Sequence, residues 1–194
     1  MPVFLETARL ALRPFTADDA DRLFDLDGDP AVMRYLSGGE PTSRETVRTR
    51  VLPRVLHDHP CTGTRGYWAA EEKETGAFVG WFEFRPVADD IAAVVELGYR
   101  LKASAWGKGY ATEGARALVD KGFAELGVSL VTANTMAVNT RSRRVMEKAG
   151  LALLRSYAGD WPVAVEGSEH GEVEYALARS DWAERRAAAG DLKP

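Results

Sequence analysis

VVELGYRLKASAWGKGYATEGAR, running from Val94 to Arg116, is the stretch whose reading decides the fold. It opens as an apolar, branched run suited to a buried strand, and a polar link then leads to Gly107, Gly109 and Ala111. A helix is expected next, its first turn near Thr112-Glu113, with alanines, Leu118 and Val119 recurring at helical spacing up to Leu126. A strand that stops, a glycine-rich turn and a helix N-terminus together make an anion site. Unpaired backbone N–H groups and the positive end of the helix dipole point the same way there. Two common phosphate motifs do not fit. A nucleotide-hydrolase P-loop places lysine after its second glycine, whereas Lys108 lies between the glycines. The dinucleotide fingerprint requires glycine where this chain has Thr112.

The composition bounds the class. The chain of 194 residues suffices for one substantial domain, expected over 6–180 with a tail over 181–194. Hydrophobic residues at 45% and charged residues at 28% are ordinary for a globular protein. A net charge of −4 argues against a nucleic-acid partner and favours a cationic or amine-bearing substrate. Cys61 has no cysteine partner, so a reducing cytoplasm is expected, and its turn-like setting reads as an incidental thiol. No window approaches the roughly 18 apolar residues of a membrane span, and no membrane partner is expected. His57, His59 and His170 show no Asp, Glu or Cys at metal-ligand spacing, so no metal is expected.

Along the chain, Arg9–Phe15 alternates as a half-buried strand, and Thr16-Ala17-Asp18-Asp19 caps a helix carrying Leu23, Phe24 and Leu26. A short helix over Ala31–Leu36 follows, and another from Ser43 toward His57, bent or ended at Pro53. Tyr67–Glu71 and Phe78–Phe84 form a hairpin about Glu74-Thr75-Gly76. Leu130–Asn134, Leu151–Tyr157 and Val173–Leu177 read as further strands, with a helix over Asn139–Ala149 closed by Gly150. The excursion from Trp161 to Glu172 reads as the end of a long hairpin, and the segment from Asp181 as a frayed helix. The class is α/β with a mixed sheet.

Several motifs carry a family resemblance. Trp106-Gly107-Lys108-Gly109-Tyr110-Ala111 resembles the coenzyme-A loop of the GNAT superfamily of N-acetyltransferases, with Trp106 departing from the usual first residue. Asn139, Ser142, Glu147, Lys148, Gly150 and Leu151 stand at the spacing of a signature in its ribosomal-protein (RimJ/RimL-like) branch. Glu6–Phe15 and Asp29–Leu36 resemble that branch too, so the likeness spans about residues 6 to 178. It implies a splayed, mostly antiparallel sheet flanked by helices, acetyl-CoA as cosubstrate and an amine as acceptor. A peptide N-terminus is the first acceptor class to test. A small-molecule amine acetyltransferase, for aminoglycosides, polyamines or amino acids, and a non-catalytic acetyl-CoA sensor are the rivals. A homodimer is compatible with the family, and nothing in the sequence decides it.

The resemblance also distributes roles. The pyrophosphate would rest on backbone amides of Gly107, Lys108, Gly109, Tyr110, Ala111 and Thr112, where missing β-carbons admit close approach. The pantetheine would pair with Leu97, Gly98, Tyr99, Arg100 and Leu101, with Gly98 marking a bulge or a close backbone approach. Glu96, the one carboxylate in its apolar run, is the general-base candidate, against a solvent-facing side chain or one paired with Arg100. Asn139 is either a helix cap or a pantetheine contact. Many relatives use a tyrosine seven residues after that asparagine to protonate the thiolate. Here that residue is Met146, and Ser142 inherits the role or serves as a coenzyme contact only. Helices over 28–60 would cover the acceptor site. Arg143 and Arg144 could meet phosphate or form a solvated face, and His170 could line the cleft or be exposed.

Overall fold

In the computed structural model, which describes residues 3–161 and 165–190, the chain begins with strands β1 (Leu5–Glu6) and β2 (Leu10–Pro14). Thr16 and Asp19 cap each other's backbone over a 3-10 turn that runs into α1 (Ala20–Asp27). Asp29 caps α2 (Pro30–Ser37), with its proline in the first turn and Gly38 at φ 71° ending it. From Ser43 the chain coils through α3 (Arg44–Thr46), a π-helical turn (Val47–Val51) and α4 (Leu52–Val55). The break expected at Pro53 takes the form of that wider turn. Proline offers no N–H to the helical ladder, and the coil expands just ahead of it instead of stopping.

A short hairpin follows, β3 (Asp58–His59) with β4 (Thr64–Arg65), which no alternation in the sequence announced. The aromatic hairpin is β5 (Tyr67–Glu72) and β6 (Phe78–Pro86), and β7 (Val94–Leu101) pairs with β6 along its whole length. Helix α5 (Tyr110–Ala124) starts two residues before the expected turn and ends short of Leu126. Gly109 at φ 84° turns the chain directly into it. Then come β8 (Leu130–Met136), α6 (Thr140–Lys148), β9 (Ala152–Tyr157), β10 (Glu172–Ala178) and α7 (Arg179–Ala188). Strands β9 and β10 are the expected hairpin. Its connection includes a 3-10 turn at Ser168–His170, while Pro162 to Ala164 lie outside the described residues. Helix α7 is docked: the Trp182 indole N–H donates to Asp120 Oδ1 at 2.7 Å and Arg185 donates to the Gly150 carbonyl at 2.5 Å.

The main sheet runs β1-β2-β5-β6-β7-β8-β10-β9, antiparallel throughout except for β7 against β8. That parallel ladder joins only Val94–Glu96 to Leu130–Thr132, so from Leu97 onward the two strands part. This is the expected splay. Strand alternation assigns the two faces. Phe82, Phe84 and Leu97 pack with Leu118, Val119 and Phe123 of α5 in the larger core. Tyr67, Ala69 and Trp81 pack on the other face with Leu23, Leu26, Val47 and Val55.

Gly114 and Gly122 let α5 lie close on the sheet. A β-carbon at Gly114 would stand 2.3 Å from the Phe82 ring, and one at Gly122 would stand 2.5 Å from Phe84. Alanine is the better helix former by about 1 kcal/mol, but crowding a fully buried ring costs roughly 1–3 kcal/mol. Gly114→Ala is therefore expected to lower stability by up to roughly 2 kcal/mol despite its propensity gain, read as a fall in the urea midpoint with unchanged slope. A midpoint at or above wild type would show that the helix can lift away without cost.

Candidate functional site

The glycine turn is built to present backbone. Gly107 and Gly109 adopt φ 75° and 84°, and Gly109 is the N-cap of α5 with no side chain to satisfy the first-turn N–H groups. Those amides are free to meet an anion, aided by the dipole of a helix of 15 residues. The turn is pinned from outside. The Arg9 guanidinium donates to the Lys108 carbonyl at 2.9 Å and to Glu113 Oε2 at 2.7 Å, and Thr7 Oγ1 donates to Glu113 Oε1 at 2.6 Å. Burial alone would raise the Glu113 carboxyl, but these donors hold it below its usual range. Trp106 has its own task, since its indole N–H donates to the Leu101 carbonyl at 2.9 Å and closes the end of β7. A groove of about 650 Å³ continues along α5 from Gly109 and Thr112 to Arg116 and Lys148. Backbone donors at the turn and β7 without a β8 partner from Leu97 on could hold a coenzyme, and the groove beyond the turn mixes Arg9, Arg116 and Lys148 with Glu113 and Asp120.

At the point where β7 leaves β8, two carboxylates face the α1 to α4 side of the sheet. Glu96 Oε1 accepts from Asn134 Nδ2 at 2.6 Å, and its Oε2 accepts from the Arg85 guanidinium. Arg85 is thus the partner of Glu96. The expected alternative, Arg100, donates instead to buried Asp27 at 2.5 Å and lies over the Trp81 ring. Four residues along a strand separate Glu96 and Arg100 by about 13 Å, so they could not meet. The Glu96 carboxyl is raised above its ordinary value, first by burial and then by the charge of Glu83, against the pull of Arg85 and Asn134. Glu83, on β6, was not singled out from the sequence. It accepts from Arg85 Nε at 2.5 Å and from the Tyr67 hydroxyl at 2.9 Å through Oε1. Burial and Glu83 together push the Tyr67 phenol up to about 12. The signal was available: like Glu96, Glu83 is a lone carboxylate in an apolar, aromatic run.

Gly98 makes no bulge. The β6–β7 register is unbroken from Gly80–Leu101 to Pro86–Val95, with Glu83 directly opposite Gly98. Nor does another backbone crowd it: the atom a β-carbon on Gly98 would meet is the side-chain Oε2 of Glu83, at 2.7 Å. Register shifts lie elsewhere, between β5 and β6 at Ala70/Glu71 and between β10 and β9 at Glu174/Tyr175.

On the opposite face β7 meets the start of α6. Asn139 caps that helix, its Oδ1 accepting from the Ser142 N–H at 3.2 Å while its Nδ2 donates to Thr135 Oγ1 at 3.1 Å. The Tyr99 hydroxyl donates to the Ser142 carbonyl at 2.9 Å and lies 2.9 Å from Ser142 Oγ. Burial raises the Tyr99 phenol well above its ordinary value, so it stays protonated. Met146 is buried, and a tyrosine from β7 instead reaches Ser142, one turn earlier in α6. Only cross-strand packing could reveal it. Arg143 is occupied structurally by the Tyr175 hydroxyl and the Ala137 carbonyl, both at 3.1 Å. Arg144 and His170 are exposed.

The spacing argument about histidines missed Asp89. His57, His59 and Asp89 each present a ligand atom, and all of these lie within 4.8 Å of one another. Asp89 is 30 residues from His59 and joins it through the β6–β7 loop, which spacing cannot show. Among the described residues, no helix is long and apolar enough to cross a membrane.

Comparison with known proteins agrees with this geometry. The family described as an acetyltransferase (GNAT) domain matches residues 9–152. The chain is 34% identical over 186 residues to FsC-acetyl coenzyme A-N(2)-transacetylase of Aspergillus fumigatus, covering 92% of this chain and 77% of that one. Its fold is shared with spermidine N-acetyltransferase of Vibrio cholerae in complex with coenzyme A and spermine, at TM-score 0.73 and 17% identity over 90% of this chain and 98% of the other. The RimL ribosomal-protein alpha-N-acetyltransferase in complex with coenzyme A superposes with TM-score 0.75 at 17% identity, over 93% of this chain and 99% of the other. With the glycine turn, the splayed sheet and this match over most of its length, the chain belongs to the GNAT family of acetyl-CoA-dependent N-acetyltransferases.

Proposed function

We propose that this acetyltransferase acts on a small-molecule primary amine, by direct attack within a ternary complex. One observation carries the chemistry: two half-buried carboxylates stand where β7 leaves β8, an unpartnered strand edge runs on from there, and the glycine turn with the uncapped N-terminus of α5 follows the end of that strand. The acceptor class rests on the relative at 34% identity, whose name places transfer at an N(2) nitrogen. A peptide N-terminal amine is the second reading, favoured by the signature spanning Asn139 to Leu151.

In this mechanism the amides of Gly107 to Thr112 hold the pyrophosphate, and Leu97 to Leu101 offer the strand edge on which the pantetheine lies. Glu96 accepts the proton of the incoming ammonium, directly or through a water, and its raised pKa makes it a stronger base than an ordinary carboxylate. Glu83, whose Oε2 lies over Gly98, helps to draw the cationic amine to the split. An amide near Leu97 or Gly98 steadies the oxyanion as the C–N bond forms and the C–S bond breaks. Ser142, backed by the Tyr99 phenol, returns a proton to the departing thiolate. Neither Ser142 nor Cys61 has an activating base among its hydrogen-bond partners, consistent with transfer without an acyl-enzyme.

Isothermal titration with acetyl-CoA, followed by thiol release against a panel of small amines and N-terminal peptides, tests the scheme. Gly109→Asp places a β-carbon at φ 84° and a carboxylate at the anion site, so coenzyme binding should be lost while the fold persists. Glu96→Gln should keep coenzyme affinity and lower kcat by about 10²–10⁴-fold. Turnover on peptides alone would move the acceptor to the second reading, and an unchanged kcat in Glu96→Gln would remove that residue from the mechanism.

The charge of Glu83 is one cause of the raised Glu96 pKa, which fixes the sign of a pH experiment. Activity should fall on acidification through a limb lying above the ordinary carboxylate range. Glu83→Gln removes a negative neighbour and should move that limb to lower pH, whereas Glu96→Gln should abolish it. Tyr99→Phe should lower kcat with little change in acetyl-CoA affinity. A loss confined to affinity would reduce Tyr99 to a structural support of α6.

A further inference from the structure

We propose that His57, His59 and Asp89 hold a divalent transition-metal ion of the zinc class, a site separate from the acyl-transfer cleft. The three come from different pieces of chain. His57 follows α4, His59 lies in β3, and Asp89 sits in the loop between β6 and β7. Asp89 Oδ1 is 3.2 Å from His59 Nδ1 and 3.7 Å from His57 Nε2, and the three ligand atoms lie within 4.8 Å of one another. A tetrahedral zinc with arms of about 2.0–2.1 Å needs ligand atoms roughly 3.3 Å apart. Two edges are therefore close to that value, and only the His57–His59 edge has to shorten. It can do so cheaply, because the His57 and Asp89 side chains are 49% and 66% exposed and free to swing, while His59 is fixed at 9%.

The donor set is chemically apt. Two imidazoles and a carboxylate suit zinc, nickel, cobalt or copper and disfavour magnesium or calcium. Buried His59 can offer only Nδ1. Its Nε2 is buried without a partner among the described residues, packed toward Gly66, where a β-carbon would stand 2.7 Å from it. Without metal the triad is held together by a hydrogen bond between His59 Nδ1 and Asp89; with metal both imidazoles and the carboxylate share one cation. The same missing β-carbon at Gly66 lets Arg85 approach, since that position would be 2.4 Å from Arg85 Cβ. The ion would therefore tie the β3–β4 hairpin to the β6–β7 loop beside the arginine that pairs with Glu83 and Glu96. No substrate contact or catalytic step is assigned to it.

The test uses the full chain after chelator treatment. Cobalt(II) should give a visible d–d absorption, and calorimetry with zinc should show one ion per chain. Substitution of an exposed ligand, His57→Ala or Asp89→Asn, should weaken zinc binding by more than about tenfold. Cys61→Ser and His170→Ala should leave it unchanged. Acetyl-CoA binding in the same variants reports that they are folded, so failure of the metal site is distinguishable from loss of structure. Absence of stoichiometric binding at micromolar zinc, wild-type affinity in both ligand variants, or dependence on Cys61 or His170 would each overturn the proposal.

Discussion

The parallel pairing of β7 with β8 stops after Glu96 and Thr132, and the rest of the site depends on that separation. A continuous ladder would leave no strand edge for an extended ligand and would give Glu96 no opening beside it. β7 can leave β8 without losing its place because its other edge stays paired with β6 from Val95 to Leu101. On the far side β8 is held along its whole length by β10. Each strand is thus supported on one side, and beyond the split its backbone groups have no ladder partner across the gap.

The two faces of the splayed strands carry different chemistry for a simple geometric reason. Alternation sends Glu96, Gly98 and Arg100 to the face covered by α1 to α4, and Leu97, Tyr99 and Leu101 to the face covered by α5 and α6. The carboxylates and their arginines lie on one side, and the Tyr99–Ser142 pair on the other. In the proposed mechanism the two proton transfers therefore take place on opposite faces of the split. Arg85 keeps two carboxylates close without either being left as an unpaired buried charge. Burial still outweighs it at Glu96.

The N-terminal segment has a structural part in the glycine turn. Thr7 and Arg9 converge on Glu113 in the first turn of α5, and Arg9 also holds the Lys108 carbonyl. This places a carboxylate at a helix N-terminus, where the dipole favours it, while leaving the turn's own amides clear. Glu113 therefore anchors the turn and does not occupy it.

Read alone, the residues were sufficient for what depends on local spacing. The glycines at 107 and 109, the apolar run before them and the amphipathic helix after them implied a strand–turn–helix anion site. These are properties of neighbours along the chain, whereas the family was supplied by the resemblance of Trp106–Ala111 and Asn139–Leu151 to its motifs. Tertiary structure decided which side chains meet across strands. It paired Glu96 with Arg85 in place of Arg100, put Glu83 against Gly98 in an unbroken register, brought Tyr99 to Ser142, and carried Asp89 to the histidines. None of these follows from spacing, since each joins residues on different elements, and strand register with loop path alone fixes which of them come within a few ångströms.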